Sequence, residues 1–122
     1  MILVDTSVWV DHFRKGDSKL VQHLMSGEVS THPFVIAELA LGSLANRKKK
    51  LTFLELLPQV TVARTEEVRR MIEAHTLFSK GIGFVDAHLI ASALLTEHTV
   101  LWTRDRRLSE MAARVGIGLI VS

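Results

Sequence analysis

Four carboxylates stand where they could be brought together to do chemistry: Asp5, Glu38, Asp86 and Asp105. Asp5 directly follows Ile2-Leu3-Val4, an unbroken apolar run suited to a strand buried on both faces. Asp105 follows a similar run, Val100-Leu101-Trp102-Thr103, and Asp86 opens the largely apolar stretch Phe84 to Leu95. Glu38 lies five residues past Pro33, among Val35, Ile36, Ala37, Leu39, Ala40 and Leu41. That is too deep in its helix for an N-cap, and a glutamate is almost never fully buried without a partner. Asp5, Asp86 and Asp105, each taken alone, could equally cap the helices that follow them. Gathered at one place, four carboxylates would repel and raise one another's pKa values. A hard divalent cation removes that conflict, and all-oxygen ligation suits Mg²⁺ or Mn²⁺. Such an ion stabilises charge on a phosphoryl oxygen and lowers the pKa of a bound water. Hydrolysis of a phosphodiester is the chemistry to expect.

The elements that must position these acids alternate between strand and helix patterns, which predicts an α/β domain with a parallel sheet. Five strands are expected, at Ile2–Val4, Glu28–Thr31, Val60–Ala63, Thr99–Thr103 and Leu119–Val121. An amphipathic helix runs from Ser7 to near Gly16, and Asp17 or Ser18 caps a second with Leu20, Val21, Leu24 and Met25 as its stripe. Pro33 suits a helix first turn, Leu51 to Leu57 lies on another helix, and Pro58 ends it. Val68, Met71, Ile72, His75 and Phe78 keep helical spacing up to the break at Gly81-Ile82-Gly83. Phe84 to Leu95 reads as a largely buried helix and Arg106 to Val115 as the last one. In an open parallel sheet, ligands bind outside the carboxyl ends of the strands, where strand order reverses. Asp5 and Asp105 end strands, and Glu38 and Asp86 lie on helices around them.

The chain has 122 residues, 48% hydrophobic and 23% charged, which suits one domain over residues 1–122 with a real core. No apolar run approaches the ~20 residues of a membrane span. No basic segment precedes the apolar run at Ile2, so a secretory signal is not expected. With no cysteine there are no disulfides or thiolate metal sites, which fits a cytoplasmic chain. The net charge is only +2, but Arg47-Lys48-Lys49-Lys50 and Arg104, Arg106 and Arg107 form basic clusters that could attract a polyanion or simply be solvated. The six histidines lack the close pairing of a zinc site. Trp9 and Phe13 share a helix face and could pack in the core or meet a partner.

With these residues in place, the chain resembles the PIN-domain ribonucleases, and within them the VapC-type toxins of toxin–antitoxin pairs. The likeness is carried by Val4-Asp5-Thr6-Ser7, Ala37-Glu38-Leu39, Phe84-Val85-Asp86-Ala87-His88-Leu89-Ile90-Ala91 and Thr103-Arg104-Asp105. It implies a three-layer α/β/α sandwich with strand order 3-2-1-4-5, Mg²⁺-dependent endonucleolytic cleavage of RNA, inhibition by a small antitoxin, and a homodimer. Carried onto this chain, the metal-site acids are Asp5, Glu38, Asp86 and Asp105. Ser7 and Thr103 match polar positions that orient ligands or water, and Arg104, Arg106 and Arg107 lie near enough to steer RNA. Rival readings fit less well. A phospho-receiver domain needs an acceptor aspartate after a middle strand, which Val60-Thr61-Val62-Ala63 lacks. A haloacid-dehalogenase-type phosphatase needs a second aspartate where Ser7 stands. A non-enzymatic binding module is favoured if the acids prove dispersed.

Overall fold

The computed structural model of the chain describes residues 1–120. Strand β1 (Ile2–Val4) is the centre of a parallel sheet with the order β2-β1-β3-β4, where β2 is Val29–Ser30, β3 is Val100–Trp102 and β4 is Leu119–Ile120. Ile2 stands opposite both Val29 and Val100, Val4 opposite Trp102, and Trp102 opposite Ile120. Leu3 and Val4 are fully buried, as the apolar run requires of a strand covered on both faces. The chain moves outward from β1 to β2 on one side and returns to β3 on the other. The crevice between the carboxyl ends of β1 and β3 is therefore the place where a ligand would bind.

Seven helices connect the strands: α1 (Thr6–Lys15), α2 (Ser18–Met25), α3 (Pro33–Leu41), α4 (Arg47–Leu56), α5 (Thr65–His75), α6 (Phe84–Leu95) and α7 (Arg106–Val115). α3 packs on α1 and α4, and α6 packs on α5 and α7. Both tryptophans, Trp9 on α1 and Trp102 on β3, are fully buried, together with Leu20, Leu54, Leu89 and Leu108 from four further helices. α6 presents an almost continuous buried face from Ala87 to Ala93, as its apolar composition predicts.

Among the described residues four strands form, not five. The expected strand Val60–Ala63 forms no bridge of its own; a single bridge joins Thr31 to Gln59, just before it. Its two hydrogen bonds run from Thr31 N–H to Pro58 O (2.9 Å) and from Val60 N–H to Thr31 O (3.1 Å). Beyond that point β2 has no backbone to offer, because α3 begins at Pro33. The next N–H groups turn to α6: Thr61 N–H donates to Thr96 Oγ1 (2.9 Å) and Ala63 N–H to Ser92 Oγ (3.1 Å). The strands that do form keep the expected order without its outer member. Val121, expected to end the last strand, lies outside the described residues.

Three helix details differ from the sequence pattern. α2 buries Leu20, while Val21 and Met25 of its expected stripe are exposed. α5 ends at His75, with Thr76 in the left-handed region (φ 53°), so Phe78 falls outside the helix and is exposed while Leu77 is buried. α4 begins at Arg47 and carries the whole basic run in its first turn.

A buried polar cluster joins β2 to α6. Phe34 N–H donates to His32 Nδ1 (3.0 Å), so the ring proton sits on Nε2 and is donated to Ser92 Oγ (3.1 Å). Burial, with His88 nearby, pushes His32 down to about 4 and keeps it neutral. Ser92 Oγ thus accepts from both His32 and Ala63. Ser92→Ala would leave two buried donors without partners, each costing about 1–3 kcal/mol. Urea unfolding should show a loss of roughly 2–6 kcal/mol for this single-oxygen deletion.

Candidate active site

The carboxyl ends of β1 and β3 are locked together around Asp5. Its N–H donates to Trp102 O (2.9 Å), continuing the β1–β3 ladder, and the residue is only 6% exposed. Two hydroxyls donate to the same carboxylate oxygen, Oδ2: Ser7 Oγ at 2.7 Å and Thr103 Oγ1 at 2.7 Å. Each hydroxyl in turn accepts from the loop that joins β3 to α7. Arg104 N–H donates to Ser7 Oγ (3.0 Å) and Asp105 N–H to Thr103 Oγ1 (3.0 Å). Asp5 therefore holds the following loop through two hydroxyl relays. It also caps α1, accepting from Ser7 N–H (3.4 Å). All of this falls on Oδ2, and no donor among the described residues is directed at Oδ1.

The other three acids surround this point. Asp105 caps α7 through Leu108 N–H to Oδ1 (3.0 Å). Asp86 lies in the first turn of α6. Glu38 sits on α3 and accepts from Thr6 Oγ1 (2.7 Å), at the start of α1. It is exposed, so its apolar neighbours in sequence did not bury it. The side chain reaches past them to the edge of the sheet. Asp86 records the gathering electrostatically. Burial raises its carboxyl most, the negative charges of Asp5, Asp105 and Glu38 raise it further, and the Gly83 N–H opposes them; the result is about 6. Helix capping and membership of the acidic cluster are thus not alternatives, since Asp5 and Asp105 do both.

Residues 2–114 match the sequence pattern of the PIN domain. The chain belongs to the PIN-domain family. It is 45% identical over 119 residues to Ribonuclease VapC32 from two strains of Mycobacterium tuberculosis, covering 98% of this chain and 96% of that one.

Within this PIN domain the three arginines expected to steer RNA have different positions. Arg104 is not an open cation: its guanidinium bridges Asp11 on α1 and Asp17, the N-cap of α2. Arg104 holds the Asp11 carboxyl below the usual carboxylate range, and Leu20 N–H followed by Arg104 does the same for Asp17. Arg106 is highly exposed and pairs with Glu110 (3.0 Å). Arg107 lies over the loop before α6, so close that a Cβ at Gly81 (φ +80°) would meet its Cδ and Nη1 at 3.0 Å. Arg106, Arg107, Asp105 and Glu110 line an open hollow of about 550 Å³ beside the acids. Sequence reasoning missed Thr6, Asp11 and Asp17. Thr6 was signalled only by adjacency to Asp5, and nothing in the local sequence tied Asp11 and Asp17 to Arg104.

His88, two residues beyond Asp86, does not join the acids. Its ring is packed edge-on against Phe34 (4.7 Å) and Phe84 (4.5 Å), and neither ring nitrogen finds a partner. Burial holds its pKa below the ordinary histidine value.

A divalent cation fits the chemistry of the donor set. Every candidate donor is a carboxylate or hydroxyl oxygen, and a buried carboxyl beside three acids is relieved by positive charge. Among the described residues, no three such side chains stand close enough to hold an ion as placed. Ligation would therefore have to draw them closer.

Two outcomes follow. Asp86 keeps its proton up to about pH 6 when folded, against 3.8 as the reference for the unfolded chain. Its favourable contribution is full below the lower value and is lost as pH rises through the upper one. Metal-free Asp86→Asn should therefore be more stable than the parent above pH 6, by on the order of 1–2 kcal/mol after solvent screening, with the gap closing toward pH 4 in urea unfolding. Arg104→Gln should speed hydrogen exchange at the Arg104 and Asp105 amides while β1 and β3 stay protected, because the loop loses its anchor on α1 and α2.

Proposed function

We propose that this chain is a divalent-metal-dependent endoribonuclease and the toxin member of a toxin–antitoxin pair. The observation that carries the reading is the elevated Asp86 carboxyl, raised by burial and by Asp5, Asp105 and Glu38 at the reversal point of a parallel sheet. The full-length likeness to a protein named as a ribonuclease supports the choice of RNA over other phosphodiesters.

In this reading Asp5, Asp86 and Asp105 hold Mg²⁺, for which Mn²⁺ can substitute, and Glu38 completes the acidic pocket. When bound, such a cation supplies positive charge for a phosphoryl oxygen and makes water a stronger nucleophile at neutral pH. The protein's part is preorganisation. Ser7 and Thr103 occupy Oδ2 of Asp5 and leave Oδ1 directed outward as a ligand. Their relays fix the backbone that carries Asp105, so two of the acids cannot move independently. Asp86 must give up its proton to serve, so metal affinity should rise with pH through about 6. Thr6 orients Glu38. Arg106 and Arg107, beside the acids, are the cations placed to meet RNA phosphates. A small antitoxin protein is the partner this reading implies, with a homodimer as the implied assembly. An RNA substrate puts the site of action in the cytoplasm, and no described helix is long and apolar enough to cross a membrane.

Cleavage of a panel of structured RNAs by the purified chain is the test. Activity should require Mg²⁺ or Mn²⁺ and disappear in chelator. Asp5→Asn and Asp86→Asn should each lower kcat by at least about 100-fold while the fold persists by circular dichroism. Undiminished cleavage by Asp5→Asn, or in chelator, would overturn the assignment.

A further inference from the structure

The rim of the acidic crevice carries an open aromatic ring. Phe84 is the first residue of α6, in the same turn as Asp86. At 59% exposure it is the most exposed phenylalanine or tryptophan among the described residues. A ring open to that extent cannot have both faces covered. Side chains two positions apart on a helix leave it on different sides, so Phe84 flanks the acids and does not fill their pocket.

A single exposed ring is ordinary on a protein surface. Three observations set this one apart. Phe34 of α3, half-buried, packs against it, with ring centroids 6.3 Å apart and planes tilted by only 31°. His88 stands edge-on to both rings, 4.5 Å from Phe84 and 4.7 Å from Phe34. That support is costly, because His88 is buried and neither of its ring nitrogens has a hydrogen-bond partner among the described residues. A local rule broken without a gain in the fold points to function. The third observation is a cation. The Arg107 guanidinium lies against Gly81, three residues before Phe84, and forms no ion pair or side-chain hydrogen bond among the described residues. Single-stranded RNA is held by this combination, with bases stacked on aromatic side chains and cations on the phosphates.

We propose that Phe84 is a stacking platform for an RNA base next to the cut, with Arg107 on an adjoining phosphate. The inference rests on the nuclease reading above and adds to it the side on which one nucleotide is gripped. Phe34 and His88 touch no RNA; they keep the Phe84 ring from folding onto the body of the protein. Stacking accepts any base, so Phe84 contributes affinity and placement of the strand, not a sequence code.

Binding of a fluorescein-labelled oligoadenylate to the full chain tests this, in chelating buffer that keeps the strand intact and across a range of salt concentrations. Phe84→Leu keeps an apolar side chain and a good helix former but removes the π face. It should weaken binding by at least about 5-fold at every salt concentration, with the slope of log affinity against log salt unchanged. Phe84→Trp should match or exceed the parent affinity. Arg107→Gln, which removes a phosphate contact, should instead lower the slope by about 0.7. Parent affinity in Phe84→Leu would refute the platform, and a changed sedimentation velocity for that variant would then give the ring to an interface between two copies of the chain. Equal weakening in Phe84→Leu and Phe84→Trp would refute it too, because a larger π face should not cost affinity. If the parent chain neither binds nor cleaves RNA, the nuclease reading itself falls; that is a separate result, and this inference falls with it.

Discussion

The structure depends on one buried carboxylate oxygen. Asp5 Oδ2 receives hydroxyl hydrogens from Ser7 and Thr103, and each of those hydroxyls takes an N–H from the loop after β3. A residue with a carboxylate at 6% exposure is tolerable only with hydrogen-bond partners, here all on Oδ2, and hydrogen bonds to an ionised acceptor are the stronger kind. The same contacts that make the buried charge acceptable also bring α1, β1, β3 and α7 to one point. Asp105 is placed there as a by-product of the relay through Thr103, and the Arg104 anchor on Asp11 and Asp17 holds the loop from outside. Stability and the site are built from the same bonds.

That economy explains what could be read in the sequence. Ile2-Leu3-Val4 ahead of Asp5, and Val100-Leu101-Trp102 ahead of Thr103 and Asp105, announce two buried parallel strands with polar groups at their ends, and the structure contains both. α7 spans the residues expected of it, because Asp105 and Gly116 mark its ends. Val60–Ala63 has strand composition but no strand partner. Composition reports what a segment tolerates, whereas pairing depends on how far β2 runs before Pro33 turns the chain into a helix. Phe78 was misassigned for a similar reason: the helical spacing continued after Thr76 had already ended the helix.

At the candidate site, each of the four acids stands out in the sequence because it sits at a boundary or among apolar neighbours, where a charge needs a reason. Their supports were less visible. Asp11 looks like an ordinary surface acid and Asp17 like a simple helix cap, and only the fold shows that one arginine, 93 and 87 residues away in sequence, spans both. Glu38 was placed for a reason that proved incomplete. Its apolar neighbours called for a partner, and it has one in Thr6, but it is exposed rather than buried. The basic clusters divide in the same way. Adjacency in sequence grouped Arg104 with Arg106 and Arg107, but the guanidinium of the first faces away from the hollow the others line.

Asp5 and Thr103 are separated by 98 positions, so the pocket unites the beginning of the chain with a segment near its end. During synthesis the amino-terminal acids emerge long before Thr103, Arg104 and Asp105 leave the ribosome. Until then Asp5 has only Ser7 for company, Arg104 has not reached Asp11 and Asp17, and β1 lacks one of its two neighbours. Closing the pocket therefore waits for a contact between segments 98 positions apart. Contacts of such separation carry a large loop-closure cost, so the pocket is among the parts of the fold that form late.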